Sequence, residues 1–475
     1  MSNISAIVKS IQDIMRKDAG VDGDAQRIGQ VSWMLFLKIL DDQEKNLEIL
    51  RDGYVSPMPK ECKWRNWAAD NEGMTGDELV EFVNENLFKR LRSLPFDREN
   101  PMTGIIRGVF EDSFNYMKSG VLLRQVTNKI NEIDFTKKAE LHLFNEIYEK
   151  ILNDLQSAGN AGEYYTPRAL TQFVVDMVAP KLGESVLDPS CGTGGFLTCT
   201  IEHIRSNYVK SPHDELILQD SIRGIELKQL PHLLATTNLI LHGIECPTRL
   251  RHDDSLSRPI KDYGPEDSVD TVVTNPPFGG QVKPGIVHNF PSQFQTAETS
   301  FLFLVLIMTV LKSGGRAGVV LPDGFLFGEG VATRIKEKLL TDCNLHTIVR
   351  LPNGVFSPYT GITTNLLFFT KGEPTKEVWY FEHPLPPGIK NYSRSNPLKI
   401  DEFNEEKAWW NNRKETENAW RVGIDEIKAR NFNLDIKNPN RKDTKEILDT
   451  NELISAIEAN FKEATEILEK IKSNI

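Results

Sequence analysis

Asn275-Pro276-Pro277-Phe278 directly follows the β-type run Val269-Asp270-Thr271-Val272-Val273, so the tetrapeptide falls at the carboxyl end of a strand. The chemistry it suits is methyl transfer to a planar amino nitrogen. Such a nitrogen is a poor nucleophile, because its lone pair is spread into the ring or carbonyl that carries it. The Asn275 amide oxygen and the Pro276 main-chain carbonyl can accept both amino hydrogens, localise the lone pair and aim it at an electrophilic methyl group. The prolines fix φ and remove competing N–H donors. Phe278 offers a flat apolar face on which a ring can stack. The bland alternative is a Pro-rich turn that merely closes a buried strand.

Two further strand ends argue against the bland alternative. Ser185-Val186-Leu187 runs into Asp188-Pro189-Ser190-Cys191-Gly192-Thr193-Gly194-Gly195-Phe196-Leu197, which continues as an amphipathic helix. Glycines there let main-chain amides approach a ligand, and the helix start favours a carboxylate or polar ligand end. No Gly-Lys-Ser/Thr closes the turn, so it is not a phosphate-binding P-loop. Ile222-Arg223-Gly224-Ile225-Glu226 then reads as a strand ending on an acid, where a carboxylate can hold a ribose hydroxyl pair. The spacing from Asp188 to Glu226 exceeds the roughly twenty residues usual for a dinucleotide fold. The excess is expected in the polar segment Ser206 to Asp220, read as a surface insertion.

Glycine turn, acidic strand end and Asn-Pro-Pro-Phe, in that order, resemble an S-adenosylmethionine-dependent amino methyltransferase. Glu163-Tyr164-Tyr165-Thr166-Pro167-Arg168 is similar to the cofactor-binding segment ahead of the glycine turn in adenine-specific DNA methyltransferases. With it, the chain resembles the modification (methylation) subunit of type I restriction-modification systems. The resemblance implies a doubly wound α/β methyltransferase sheet with an N-terminal helical domain and a C-terminal helical tail. It implies cofactor contacts at Glu163, Tyr164, Tyr165, Thr166, Pro167, Arg168, Thr193, Gly194, Gly195 and Glu226, with Asp188 beneath the methionine portion. The Asp254-Ser255-Leu256 turn resembles the position that meets the cofactor's adenine, although Asp253 leaves the register open. Asn275, Pro276, Pro277 and Phe278 would be the catalytic set, acting on the N6 amino group of a DNA adenine. A separate specificity subunit would choose the sequence, and a restriction subunit would complete the complex.

Composition agrees with that reading. A formal net charge of −11 opposes strong DNA binding by this chain alone, since phosphate neutralisation needs clustered Lys and Arg. Another subunit supplying most of the grip resolves the conflict. Cys62, Cys191, Cys199, Cys246 and Cys343 are scattered, with no Cys-x-x-Cys, which favours free thiols in a reducing cytoplasm. None follows a proline, so cytosine C5 methylation through a Pro-Cys nucleophile is disfavoured. His232, His242 and His252 recur at a spacing unsuited to a metal, and no metal is expected. The start of the chain carries no signal-peptide pattern, and the apolar run Phe301 to Leu311 is about half of the ~20 residues that cross a bilayer.

The elements that must position these residues divide the chain into three. Residues 1–150 read as a helical domain, with Ile4, Ile7, Val8, Ile11, Ile14 and Met15 on one face. The Asp18 to Asp24 loop fails as a calcium site, because Gly29 stands where the closing glutamate belongs. Residues 151–372 alternate strand and helix, with helices over Ala169 to Met177 and Ser300 to Leu311 and later strands at Gly318 to Leu321, Thr347 to Arg350 and Thr364 to Phe369. In the intervening loop, Phe356 or Tyr359 is a candidate second aromatic wall for an extruded base, or packs on the sheet edge. Residues 373–475 read as linker, with Pro384-Leu385-Pro386-Pro387-Gly388, then a helical tail. Ile447, Ile454, Ile457, Phe461, Ala464, Leu468 and Ile471 form a coiled-coil-like seam that closes within the chain or docks on the specificity subunit. Two rival functions share the central motif: methylation of ribosomal RNA or release-factor glutamine, and a decayed, non-catalytic scaffold.

Overall fold

The structure is a computed structural model that describes residues 2–135, 166–357, 360–393 and 395–441. Its centre is a sheet of nine strands: β1 (Val186–Asp188), β2 (Ile222–Glu226), β3 (Leu250–His252), β4 (Val269–Thr274), β5 (Leu311–Pro322), β6 (Cys343–Arg350), β7 (Thr364–Lys371), β8 (Glu377–Glu382) and β9 (Ala419–Gly423). Their spatial order is β3-β2-β1-β4-β5-β7-β6-β8-β9. The first five in that order run parallel, β7 is antiparallel to both β5 and β6, and β9 is antiparallel to β8. Strand order reverses between β1 and β4, which opens a crevice at their carboxyl ends.

Successive strand residues face opposite sides, so a strand buried on both faces must be apolar throughout. Val272, Val319 and Leu367 lie in one buried cluster with the helices Thr299–Val310 and Val331–Asp342. Their neighbours Val273, Val320 and Leu366 lie in another, with Arg168–Val178 and Gly195–Tyr208. The run Phe301 to Leu311 is buried against the sheet, and among the described residues no helix is long and apolar enough to cross a membrane.

The helical N-terminal region has its own core, built on Ser2–Met15, Asp24–Leu50, Met102–Glu111 and Gly120–Asn131. The Asp18 carboxylate in its first loop accepts the main-chain amides of Gly20, Lys118 and Ser119 at 2.8, 3.0 and 2.9 Å. That acid therefore pins two loops together.

In the segment Ser206 to Asp220, read from the sequence as a polar surface insertion, Pro212–Ser221 is a helix, started by reciprocal hydrogen bonds between Ser211 and Asp214 with Pro212 in its first turn. One expectation needs correction. The chain beyond 372 is not linker followed by tail. It supplies β8 and β9 to the sheet, and its Phe403 stacks on Phe173 with ring centroids 4.1 Å apart. Short strands whose apolar residues are flanked or interrupted by Glu and Arg carry too weak a period to be seen. The seam from Ile447 to Ile471 lies outside the described residues.

One glycine sets how closely a site-bearing helix lies on the sheet. A Cβ at Gly318 of β5 would stand 2.6 Å from Val174 and 2.8 Å from Val178, both on the helix Arg168–Val178. Gly318→Ala should therefore lower unfolding free energy by about 2 kcal/mol, as overpacking does. Gly324→Ala, where a Cβ meets nothing within 4 Å, should shift it by less than about 1 kcal/mol. Urea unfolding of both variants checks this, and equal midpoints would contradict the tight helix-on-sheet contact.

Candidate active site

A cavity of about 560 Å³ opens at the carboxyl ends of β1, β2, β3 and β4. Asp188 ends β1, Glu226 ends β2, Asp253 and Asp254 follow β3, and Asn275-Pro276-Pro277 follows β4; all seven line this one cavity. Thr193 and Gly195 of the glycine turn line it as well, and so does Thr166. Thus the turn that brings main-chain amides forward and the amide that can orient an amino group share a single space.

A neighbouring strand and the helix Gln229–Leu241 hold the glycine turn. The Cys191 amide donates to the Ile225 carbonyl at 3.0 Å, and Asn238 Nδ2 donates to the Thr193 carbonyl at 2.7 Å. Gly194 caps the helix Gly195–Tyr208 with φ at +84°, a left-handed conformation that side chains disfavour. It shapes the turn without lining the cavity.

Asn275 is oriented by one hydrogen bond. Its Nδ2 donates to Thr166 Oγ1 at 2.9 Å, while its Oδ1 is buried and receives no donor from the described residues. An unpaired buried acceptor costs about 1–3 kcal/mol unless something else donates to it. The described residues leave several buried side-chain atoms unpaired, and among them Asn275 Oδ1 is the one carried by a residue that lines the cavity. Gly280 after the motif is fixed to the next helix, its carbonyl accepting both the amide and the hydroxyl of Thr299 at 3.0 and 2.6 Å.

The acids differ. Asp188 is 1% exposed; burial, with the Glu226 charge adding to it, pushes its carboxyl up to about 7. Thr274 Oγ1 and the Ser190 amide donate to its Oδ1 at 2.6 and 3.0 Å and pull the other way. Glu226 accepts the Gly192 amide on Oε2 at 2.9 Å and the Lys228 amide on Oε1 at 2.8 Å, which sets its orientation. Asp254 Oδ1 accepts the Leu256 amide at 2.9 Å, and the Asp253 carboxylate accepts the Asp254 amide at 2.8 Å, so both stay at the cavity wall. A cavity ringed by glycine-turn amides, a ribose-type acid and a buried acid facing polar surroundings fits a nucleoside joined to an amino acid.

Other residues singled out by the sequence lie elsewhere. Pro167 and Arg168 do not line the cavity; Arg168 pairs with Glu202 at 2.5 Å. Burial opposes ionisation of Glu202, but His242 and Arg168 outweigh it and hold its carboxyl at about 2. Phe278 is 7% exposed and meets Phe356 edge-to-face, centroids 5.7 Å apart, rather than presenting an open face to the cavity. Phe356 is itself buried, so it buttresses Phe278 and is not a facing wall. Glu163, Tyr164, Tyr165 and Tyr359 lie outside the described residues.

Sequence reasoning missed several lining residues. Lys228 lies two residues beyond Glu226, in a sequence context that assigns it no role. Ala25 and Ile28 come from the helical region and have no chemical signature at all.

The matches to known proteins agree with the geometry. The family described as N-6 DNA Methylase matches residues 139–447, and the HsdM N-terminal domain matches residues 4–130. The chain is 60% identical to the type I restriction enzyme EcoEI methylase subunit of Escherichia coli, over 93% of this chain and 91% of that one. It is 30% identical to the EcoKI methylase subunit of Escherichia coli K12, over 80% and 71%. A crystal structure described as a modification subunit of a type I restriction enzyme from Vibrio vulnificus YJ016 superposes with a TM-score of 0.85 at 44% identity, covering 92% of this chain and 97% of that one. With that sheet, that cavity and those relatives, the chain belongs to the N-6 DNA methylases, adenine-specific DNA methyltransferases, as a type I restriction enzyme methylase subunit.

Proposed function

We propose that this chain transfers a methyl group from S-adenosylmethionine to the N6 amino group of adenine in DNA, with a separate specificity subunit choosing the sequence. The observation that carries the reading is Asn275 Oδ1, buried and unpaired among the described residues, in a cavity shared with Asp188 and Glu226. Bound there, the cofactor would supply an electrophilic sulfonium methyl. Glu226 would hold its ribose hydroxyls, the Asp253-Asp254 turn its adenine, Asp188 its ammonium, and Thr193 and Gly195 its amino-acid end. Thr166 belongs to the same set, and the neighbouring Glu163, Tyr164 and Tyr165 complete the cofactor-binding segment.

The target adenine leaves the duplex at a cost of a few kcal/mol. Asn275 Oδ1 and the Pro276 carbonyl accept its two amino hydrogens and aim the lone pair along the line of transfer, while Pro277 holds the turn rigid. For the base to stack on Phe278, that ring would have to leave its edge-to-face packing against Phe356. No enzyme nucleophile is needed. Burial drives the thiol of Cys191, in the glycine turn, well above its ordinary range, which makes it inert.

The −11 net charge supports a division of labour in which the specificity subunit grips DNA and the restriction subunit joins the full complex. The relatives named as methylase subunits of type I restriction enzymes support an assembly of several chains, and free cysteines among the described residues suit a reducing cytoplasm. Methylation of ribosomal RNA or of release-factor glutamine is less well supported, since neither accounts for the helical N-terminal region.

Three tests follow. In the assembled complex, tritiated S-adenosylmethionine should label DNA, and label on ribosomal RNA or release factor with bare DNA would overturn the assignment. Asn275→Ala should lower the single-turnover rate by about 10²-fold or more, the scale for one preorganised hydrogen-bonding group, with cofactor affinity within about threefold. A rate within threefold of the parent would contradict the role of its oxygen.

Asp188 gives a pH test. If the cofactor's ammonium binds only the carboxylate form, affinity should fall about tenfold from pH 8 to pH 6, given a carboxyl titrating at about 7. The raised folded value also means that the folded state binds the extra proton between about pH 4 and 7, so stability declines as pH rises through that window. Asp188→Asn should therefore raise the ligand-free Tm at pH 8 while abolishing the pH dependence of binding. Calorimetry showing equal affinity at pH 6 and 8 would contradict the pairing.

A further inference from the structure

The helical N-terminal region reaches the cofactor cavity. Ala25 and Ile28, three residues apart on one face of the helix Asp24–Leu50, line the same cavity as Glu226 and Asp188. Leu230, Pro231 and Leu234 of the helix Gln229–Leu241 line it beside them. Ile28 and Leu234 are also members of the helical region's buried core, so one side of the cavity is continuous with that core.

The contact is fastened along the length of the helix Gln229–Leu241. At its start, Gln229 Nε2 donates to the carbonyls of Gly108 and Val109, each at 3.1 Å. At its end, Gln43 Nε2 donates to the Ile240 carbonyl at 2.7 Å. Just beyond, Arg51 reaches both carboxylate oxygens of Glu245 at 2.8 and 2.7 Å. These residues give one side of the cavity an aliphatic lining, against which the apolar parts of a ligand would be removed from water. Moving the helical region would open this side to solvent.

We infer that the first turn of the helix Asp24–Leu50 is a wall of the cofactor site, so that cofactor affinity is linked to the docking of the helical region on the catalytic sheet. The inference rests on the assignment of this cavity to S-adenosylmethionine. Linkage is reciprocal: a ligand filling the cavity stabilises the docked arrangement, and any partner that shifts the helical region changes cofactor affinity by the same factor. The helical region thereby becomes a specificity and affinity determinant of a site that otherwise belongs to the sheet.

Calorimetric titration of the full chain with S-adenosylmethionine tests this. Ile28→Ala should weaken binding about tenfold, and so should the double variant Gln43→Ala with Gln229→Ala, whose residues fasten the wall without lining it. Ile11→Ala is the control: it trims the same buried core, does not line the cavity, and should leave Kd within twofold even if it lowers Tm. If Ile28→Ala fails to fold, Ala25→Trp at an exposed cavity position should change Kd at least fivefold. Hydrogen exchange should slow at residues 24–31 when the ligand binds. Kd values matching the Ile11→Ala control in the two wall variants, with no protection at 24–31, would overturn the linkage. An unsubstituted chain that binds no S-adenosylmethionine would instead sink the assignment of the cavity.

Discussion

The hydrogen bond from Asn275 Nδ2 to Thr166 Oγ1 is the constraint on which the site depends, because it decides which end of the carboxamide is left without a partner among the described residues. With the nitrogen engaged, the oxygen remains as a desolvated acceptor beside the cavity. The rest of the fold keeps the two residues together. Thr166 is carried in by the helix Arg168–Val178, which lies flush on β5 because Gly318 has no side chain. Asn275 is carried in by β4, whose neighbours on both sides are parallel strands. An amide at that position can select an amino group only if both supports hold their register.

Electrostatics and burial then divide labour among acids that look alike in sequence. Asp188 is buried and titrates at about 7, so its charge answers to what binds above it. Glu226 is held by two main-chain amides, which suits a carboxylate that must receive hydroxyl donors in a fixed orientation. Glu202, close in sequence to the glycine turn, sits between His242 and Arg168 and serves the packing of two helices. In the proposed reading the same chemical group would thus act as ligand partner and ribose holder, while at Glu202 it is a structural tie.

Much of the catalytic half was legible before any coordinates. Asp188, Thr193, Gly195, Glu226, Asp254 and Asn275 carry strong local patterns, a strand followed by a turn whose residue types match a ligand, and all of them line one cavity. What escaped was set by tertiary contact. Phe278 looked like an open stacking face, but Phe356 packs against it. β8 and β9 escaped because strands mixing apolar with charged residues resemble linker, and their burial is visible only against Trp409 and Trp420. Ala25 and Ile28 escaped because aliphatic residues at helical spacing announce a core and nothing more; only folding brings them to a site some 160 residues along the chain.

The central claim is that the Asn275 oxygen receives an amino hydrogen of an extruded adenine. Cryo-electron microscopy of the assembled complex, holding target DNA and S-adenosylhomocysteine, measures this most directly. The account predicts the adenine N6 about 3 Å from both Asn275 Oδ1 and the Pro276 carbonyl, with Asn275 Nδ2 still bonded to Thr166. An adenine that enters the cavity with N6 more than about 4 Å from both oxygens, or a carboxamide turned so that its nitrogen faces the base, would contradict it.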